Sequence, residues 1–176
     1  DREMAYSLWM AGFDVKDVHM TDLISGRENL KDINMIVFVG GFSNSDVLGS
    51  AKGWAGSFLF NAKAKQALDD FYDRPDTLSL GVCNGCQLMM ELEKIYPGRD
   101  KHPKLRHNSS GKFESSFINV SIQENNSVMF GSLSGTRLGI WVAHGEGRFE
   151  MPESEDHYLI PLKYSYDAFP ANPNGS

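Results

Sequence analysis

Two short apolar runs that end in glycine constrain this chain more than any other feature. "NMIVFVGG", residues 34–41, is a continuous apolar run, and "TLSLGVCNG", residues 77–85, opens on a second short apolar strand. Runs of this kind suit strands buried on both faces, as in a parallel sheet covered by helices. Helical periodicity lies between them. Residues 54–72 read as one long helix with Trp54, Phe58, Ala62 and Leu68 along its apolar side, ended by Arg74-Pro75-Asp76. "NGCQLMMELEKIY" then has helical character again. Strand, helix, strand, helix in that order predicts an α/β fold with a doubly wound, mainly parallel sheet and right-handed crossovers. The pattern also predicts a helix over residues 3–11, with Met4, Leu8 and Trp9 on one face and Gly12 at its C-terminal cap. "FDVKDVHM" alternates like a further strand.

From about residue 103 the texture changes. "GKFESSFINVSI", "RLGIWVAHGEGRFEM" and "YLIPLKYSY" are β-rich and separated by Gly, Ser and Asn, which predicts a small, mostly antiparallel or mixed extension. No linker divides the chain, so residues 1–176 read as a single domain. The net charge of −6 and the lack of a basic run with interleaved aromatics argue against a nucleic-acid partner. The longest apolar runs are too short to span a bilayer, so no membrane partner is expected. The cysteines, Cys83 and Cys86, are close in sequence, which argues against a disulfide framework and fits a reducing, cytoplasmic setting. The opening residues resemble a helix rather than a signal peptide, and both ends read as cut from a longer polypeptide.

Cys83 carries the chemistry. Gly81 and Gly85 flank it at the junction between a strand and a helix, the glycine–x–nucleophile–x–glycine arrangement of a nucleophile elbow. Small residues are needed there because the turn is tight and a substrate carbonyl must approach the backbone. A helix N-terminus also favours a thiolate, and the Asn84 N–H would point at an oxyanion. The competing reading is a buried structural cysteine, the role expected of Cys86 one turn on. A Cys-x-x-Cys redox pair also sits at strand–helix junctions, but it leaves the upstream loop "GGFSNSDVLG" without a role. Zinc would need two further ligands, and no second cysteine pair exists; no metal site is expected. In an open α/β sheet, that loop and the Cys83 elbow share the edge beyond the strand ends. Gly40 or Gly41 is placed there to offer a second oxyanion N–H. A phosphate loop is the rival, but "GSAKG" does not match its spacing.

These residues resemble a known family. "GVCNGCQ" is similar to the G-x-C-x-G-x-Q signature of class I, triad-type glutamine amidotransferases, whose domain is flavodoxin-like. "GGFSNSDVLGSAKGWA", "GVCNGCQLM", "AHGEGR" and "PANPNGS", in that order, resemble the glutaminase domain of the large, single-chain phosphoribosylformylglycinamidine synthases. The resemblance implies that glutamine is hydrolysed at Cys83 through a γ-glutamyl thioester. The ammonia would go to an ATP-dependent synthetase domain of the same polypeptide, which would bind ATP and Mg²⁺; no cofactor is implied for this chain. It implies oxyanion donors at Asn84 and Gly41, and substrate contacts at Gly40, Gln87 and His144. A separate-subunit glutaminase of the same pathway, a non-catalytic glutaminase-like scaffold and another cysteine hydrolase of the superfamily are the alternatives.

His144 and Glu146 look like the rest of a triad, since imidazole titrates near neutrality and a carboxylate could hold its tautomer. In the family, however, the catalytic His-x-Glu lies in a His-Pro-Glu segment beyond "NPNGS", and His144 precedes that stretch. The resemblance therefore makes "HGEGR" a strand-end turn at the rim of the site. It places the base after Ser176, so the chain alone is expected to be poorly active. His19, His102 and His107 are read as surface or loop residues with no carboxylate context.

Overall fold

The computed structural model describes residues 1–42, 47–49 and 51–176, which form two compact units, Asp1–Gly98 and Arg99–Ser176. The boundary falls close to the change of texture in the sequence.

The first unit opens with α1 (Arg2–Met10) and α2 (Met20–Ser25). β1 (Met35–Phe38) then leads through α3 (Lys52–Leu59) and α4 (Ala62–Tyr72) to β2 (Leu78–Gly81), and α5 (Asn84–Leu92) follows. β1 and β2 pair in parallel, with Met35 opposite Leu78 and Phe38 opposite Gly81. This is the expected α/β arrangement: parallel neighbours joined through helices, with both carboxyl ends at one edge. Phe38, Phe58, Leu68, Phe71, Leu88 and Leu92 form the core. The Phe38 ring meets that of Phe58 edge-on at 6.1 Å between centroids, a geometry aromatic pairs favour.

Three local expectations need correction. "FDVKDVHM" forms no ladder: Met20 already opens α2, and the half-buried side chains ahead of it, Val15 and Val18, lie three apart and so cannot share one face of a strand. Lys16 instead pairs with Glu28, and this contact, with the Asn29 and Leu30 N–H groups, lowers the Glu28 pKa to about 2. The single helix over residues 54–72 is two. Asn61 leaves the helical conformation (φ −104°, ψ 119°), and its side chain accepts hydrogen bonds from the N–H groups of Lys63 at 3.1 Å and Ala64 at 3.0 Å. The apolar period runs across the break because both helices bury side chains in one core, Phe58 from α3 and Leu68 from α4. Finally, α1 forms and Gly12 follows it with φ +94°, but the helix buries no side chain and Trp9 is 64% exposed. The sequence reading also missed α2, which His19 and Asp22 cap reciprocally before Gly26 ends it at φ +78°.

The second unit is antiparallel, in keeping with the predicted extension. β3 (Lys104–Arg106) is followed by β4 (Glu114–Ile122), β5 (Arg137–His144), β6 (Arg148–Glu150) and β7 (Leu162–Tyr164). β4 lies between β5 and β7, while β3 pairs with β6. Ile118, Val120, Ile122 and Val142 form its core on one face of the sheet. Phe117 and Trp141 sit opposite each other on the other face, with ring centroids 5.5 Å apart. Among the described residues, no helix is long and apolar enough to cross a membrane.

Candidate active site

In the first unit β2 ends at Gly81 and α5 begins at Asn84, leaving Val82 and Cys83 to make the turn. Cys83 takes φ 55° and ψ −114°, a conformation that L-residues reach only at a cost of about 1–3 kcal/mol. Its thiol is exposed. Three glycines permit this turn. A Cβ on Gly85 would lie 1.9 Å from the Phe38 carbonyl oxygen, so α5 packs directly on the backbone of β1. One on Gly81 would lie 2.8 Å from backbone atoms of Cys86, which brings α5 equally close to its own strand. One on Gly40 would lie 3.1 Å from Cys83 Cβ and 3.9 Å from its Sγ. Gly40 and Cys83 are thus immediate neighbours across the sheet edge.

The first turn of α5 closes with Gly85 N–H donating to the Val82 carbonyl at 2.9 Å and Cys86 N–H to that of Cys83 at 2.9 Å. The Asn84 N–H finds no backbone acceptor among the described residues, as expected for the first position of a helix. Its side chain is 3% exposed, and neither amide atom has a partner. A buried amide without a partner is destabilising by about 1–3 kcal/mol, so packing alone does not account for Asn84 at this place. Gly41 is exposed with φ +98°, a conformation suited to glycine, and Gln87 is half-buried on the first turn of α5. Cys86 is half-buried, and burial pushes its thiol pKa up, away from thiolate chemistry. Part of the predicted loop, residues 43–46 and Ser50, lies outside the described residues.

The second unit places the remaining candidate. His144 ends β5, and residues 145–147 turn the chain into β6, so "HGEGR" is the strand-end turn expected. Glu146 does not orient His144: its carboxylate lies 3.2 Å from His107 Nε2, which also corrects the reading of His107 as lacking a carboxylate. The partner of His144 Nδ1 is Asn108 Oδ1, at 3.1 Å. Asn108 is 3% exposed, and its Nδ2 donates to the carbonyls of His144 at 2.7 Å and Lys112 at 2.8 Å. Asn174, equally buried, donates from Nδ2 to the Gly147 carbonyl at 2.6 Å, and its own carbonyl accepts from Ser109 N–H at 3.0 Å. Ser176 Oγ accepts from Phe149 N–H at 2.9 Å. "RHNSSG", "AHGEGR" and "PANPNGS" are therefore one hydrogen-bonded knot. Burial lowers the His144 pKa below its ordinary value, opposed by a backbone hydrogen bond and by Glu114, its neighbour across the sheet.

A family model for the CobB/CobQ-like glutamine amidotransferase domain matches residues 1–176. The chain belongs to this family. Its match to a curated relative, a probable phosphoribosylformylglycinamidine synthase, chloroplastic/mitochondrial, of Arabidopsis thaliana, is 45% identical over 195 residues. The match covers 100% of this chain and 14% of the length of that relative. Among solved structures, a chain in the structure of PurLQS from Thermotoga maritima is similar over 100% of this glutamine amidotransferase domain and 71% of its own length, with a TM-score of 0.76 and 27% identity. The family and the α/β fold that the motifs implied are thus established. The amidotransferase signature around Cys83 is also the segment with the strained backbone and the obligatory glycines. Asn108 was not singled out from the sequence. The only signal was an asparagine between a strand-like run and a Ser-Ser-Gly turn, which does not announce a partner in β5.

Proposed function

We propose that this domain is the glutaminase part of a phosphoribosylformylglycinamidine synthase. On this reading Cys83 Sγ attacks the side-chain amide carbon of glutamine, ammonia leaves, and water hydrolyses the γ-glutamyl thioester to glutamate and free thiol. The ammonia goes to an ATP- and Mg²⁺-dependent synthetase domain that converts formylglycinamide ribonucleotide to formylglycinamidine ribonucleotide in de novo purine biosynthesis. The N–H groups of Asn84 and Gly41 stabilise the oxyanion, which matters because such donors act at the atom where charge develops. Gly40 leaves room beside the sulfur, and Gln87 contacts the substrate from α5. The base that the resemblance places in a His-Pro-Glu segment is assigned to no residue of this chain.

The carrying observation is the Cys83 backbone at φ 55° between two glycines that tolerate no side chain. A diazo-ketone analogue of glutamine tests the reading. Alkylation should map to Cys83 by peptide mass spectrometry and be suppressed by free glutamine. Labelling spread equally over Cys83 and Cys86, or unaffected by glutamine, would contradict a glutamine-binding elbow.

A further inference from the structure

Cys86 has no part in releasing ammonia, yet it stands one helical turn from the nucleophile. The Cys86 N–H donates to the Cys83 carbonyl at 2.9 Å, and the Gln87 N–H to the same oxygen at 3.2 Å. A hydrogen bond from the fourth residue of a turn back to the first goes with Cα atoms within about 7 Å of each other. A disulfide spans Cα separations of roughly 4.4–6.8 Å, so the backbone of the elbow holds the two cysteines near bridging range. Their sulfurs also sense each other: after burial, the charge of Cys83 is the second cause that keeps the Cys86 thiol above its usual pKa. On the other side of Cys83 stands Gly40, where even a Cβ would lie 3.9 Å from Sγ, so no side chain there hinders rotation of the Cys83 thiol. The two thiols differ in access. Cys83 is exposed and Cys86 half-buried, so an oxidant from solvent meets Cys83 first. An accessible cysteine beside a second thiol can stop at a disulfide, whereas an isolated one goes on to sulfinic and sulfonic acids that thiols do not reduce.

We propose that Cys83 and Cys86 form a reversible peroxide-sensitive pair, with Cys83 as the site of oxidation and Cys86 as the resolving thiol. In the first step Cys83 Sγ attacks one oxygen of hydrogen peroxide. The O–O bond breaks, the sulfur is oxidised to a sulfenic acid, and the peroxide is reduced, its other oxygen leaving as water. In the second step Cys86 Sγ gives up its proton and attacks Cys83 Sγ. The S–S bond forms as the S–O bond breaks, and the hydroxyl leaves with that proton as water. Oxidation also removes the charge that Cys83 carries as a thiolate, so one of the two causes opposing deprotonation of Cys86 is gone when Cys86 must react. A dithiol reverses the bridge by exchange. The pairing rests on the elbow; its consequence, a glutaminase switched off while the bridge stands, rests on the glutaminase reading.

Treatment of the full-length synthase with hydrogen peroxide tests both. Iodoacetamide then blocks free thiols, and peptide mass spectrometry reads the segment that carries Cys83 and Cys86. In the wild type this segment should be unalkylated and lighter than the dithiol by two hydrogens, and dithiothreitol should return both thiols to alkylation. Cys86→Ala should form no bridge and should accumulate Cys83 sulfinic acid that dithiothreitol does not reverse; Cys86→Ser is the second variant should alanine fail to fold. The glutamine-dependent rate should be lost with the bridge and return with dithiothreitol in the wild type, but stay lost in Cys86→Ala, while the ammonium-dependent rate is unchanged throughout. Wild-type Cys83 that goes to sulfinic acid without a bridge, or recovers equally in the Cys86 variants, overturns the pairing. A bridge that leaves the glutamine-dependent rate intact sinks the glutaminase role of Cys83 and leaves the pairing standing.

Discussion

Replacing Gly85 by alanine probes the packing that holds Cys83 in place. Elsewhere in a helix the exchange is stabilising by about 1 kcal/mol, because alanine loses less backbone entropy. At Gly85 the new methyl would sit 1.9 Å from the Phe38 carbonyl oxygen, 2.5 Å from its carbon and 2.8 Å from the Phe38 Cβ. The obstacle is mainly backbone of a buried strand and cannot swing aside, so α5 must move off β1. Overpacking of this kind costs about 3 kcal/mol at the upper end of its usual range. Set against a propensity gain of about 1 kcal/mol, the net destabilisation is about 2 kcal/mol. The melting temperature should fall by roughly 4–8 °C. Gly56 in α3 is the control, since a Cβ there meets only the exposed Phe60 ring, at 3.6 Å. Gly56→Ala should leave stability unchanged or raise it by up to about 1 kcal/mol. Urea denaturation followed by circular dichroism measures both variants. Equal midpoints for Gly85→Ala and wild type, at equal slope, would refute the close approach of α5 to β1.

Two further predictions follow from backbone strain and burial. Cys83→Gly should stabilise the domain by roughly 1 kcal/mol in the same denaturation assay, because glycine accepts φ 55° without penalty, while abolishing labelling by the glutamine analogue. Burial keeps the His144 pKa below its ordinary value near 6.5, so the unfolded chain binds the proton first as pH falls. His144 should therefore contribute a loss of stability as pH drops through about 6.5, levelling off below the folded-state pKa, and His144→Gln should flatten that part of the profile.

The elbow was legible because its determinants are local: two glycines, a cysteine and a change from apolar run to helical period lie within a few residues. The parallel pairing of β1 and β2 followed from the same punctuation. What was not legible is tertiary. Asn61 interrupts a helical period that continues because α3 and α4 share one core, so periodicity concealed the break that the cap creates. Val15 and Val18 are spaced in a way that alternation resembles only if their burial is unknown. His144 and Glu146 suggested a pair by proximity in sequence, yet the folded turn sends Glu146 to His107 and gives His144 to Asn108. Short-range spacing identifies which chemistry is present; the partner of a side chain depends on strands that meet from far apart.

The central claim is that Cys83 is dedicated to releasing ammonia from glutamine. The most direct measurement is the rate of formylglycinamidine ribonucleotide formation by the full-length synthase with Cys83→Ala, using glutamine or ammonium as nitrogen donor. The account predicts that the glutamine-dependent rate is abolished while the ammonium-dependent rate stays at the wild-type level. Equal loss of both rates, or survival of the glutamine-dependent one, would contradict it.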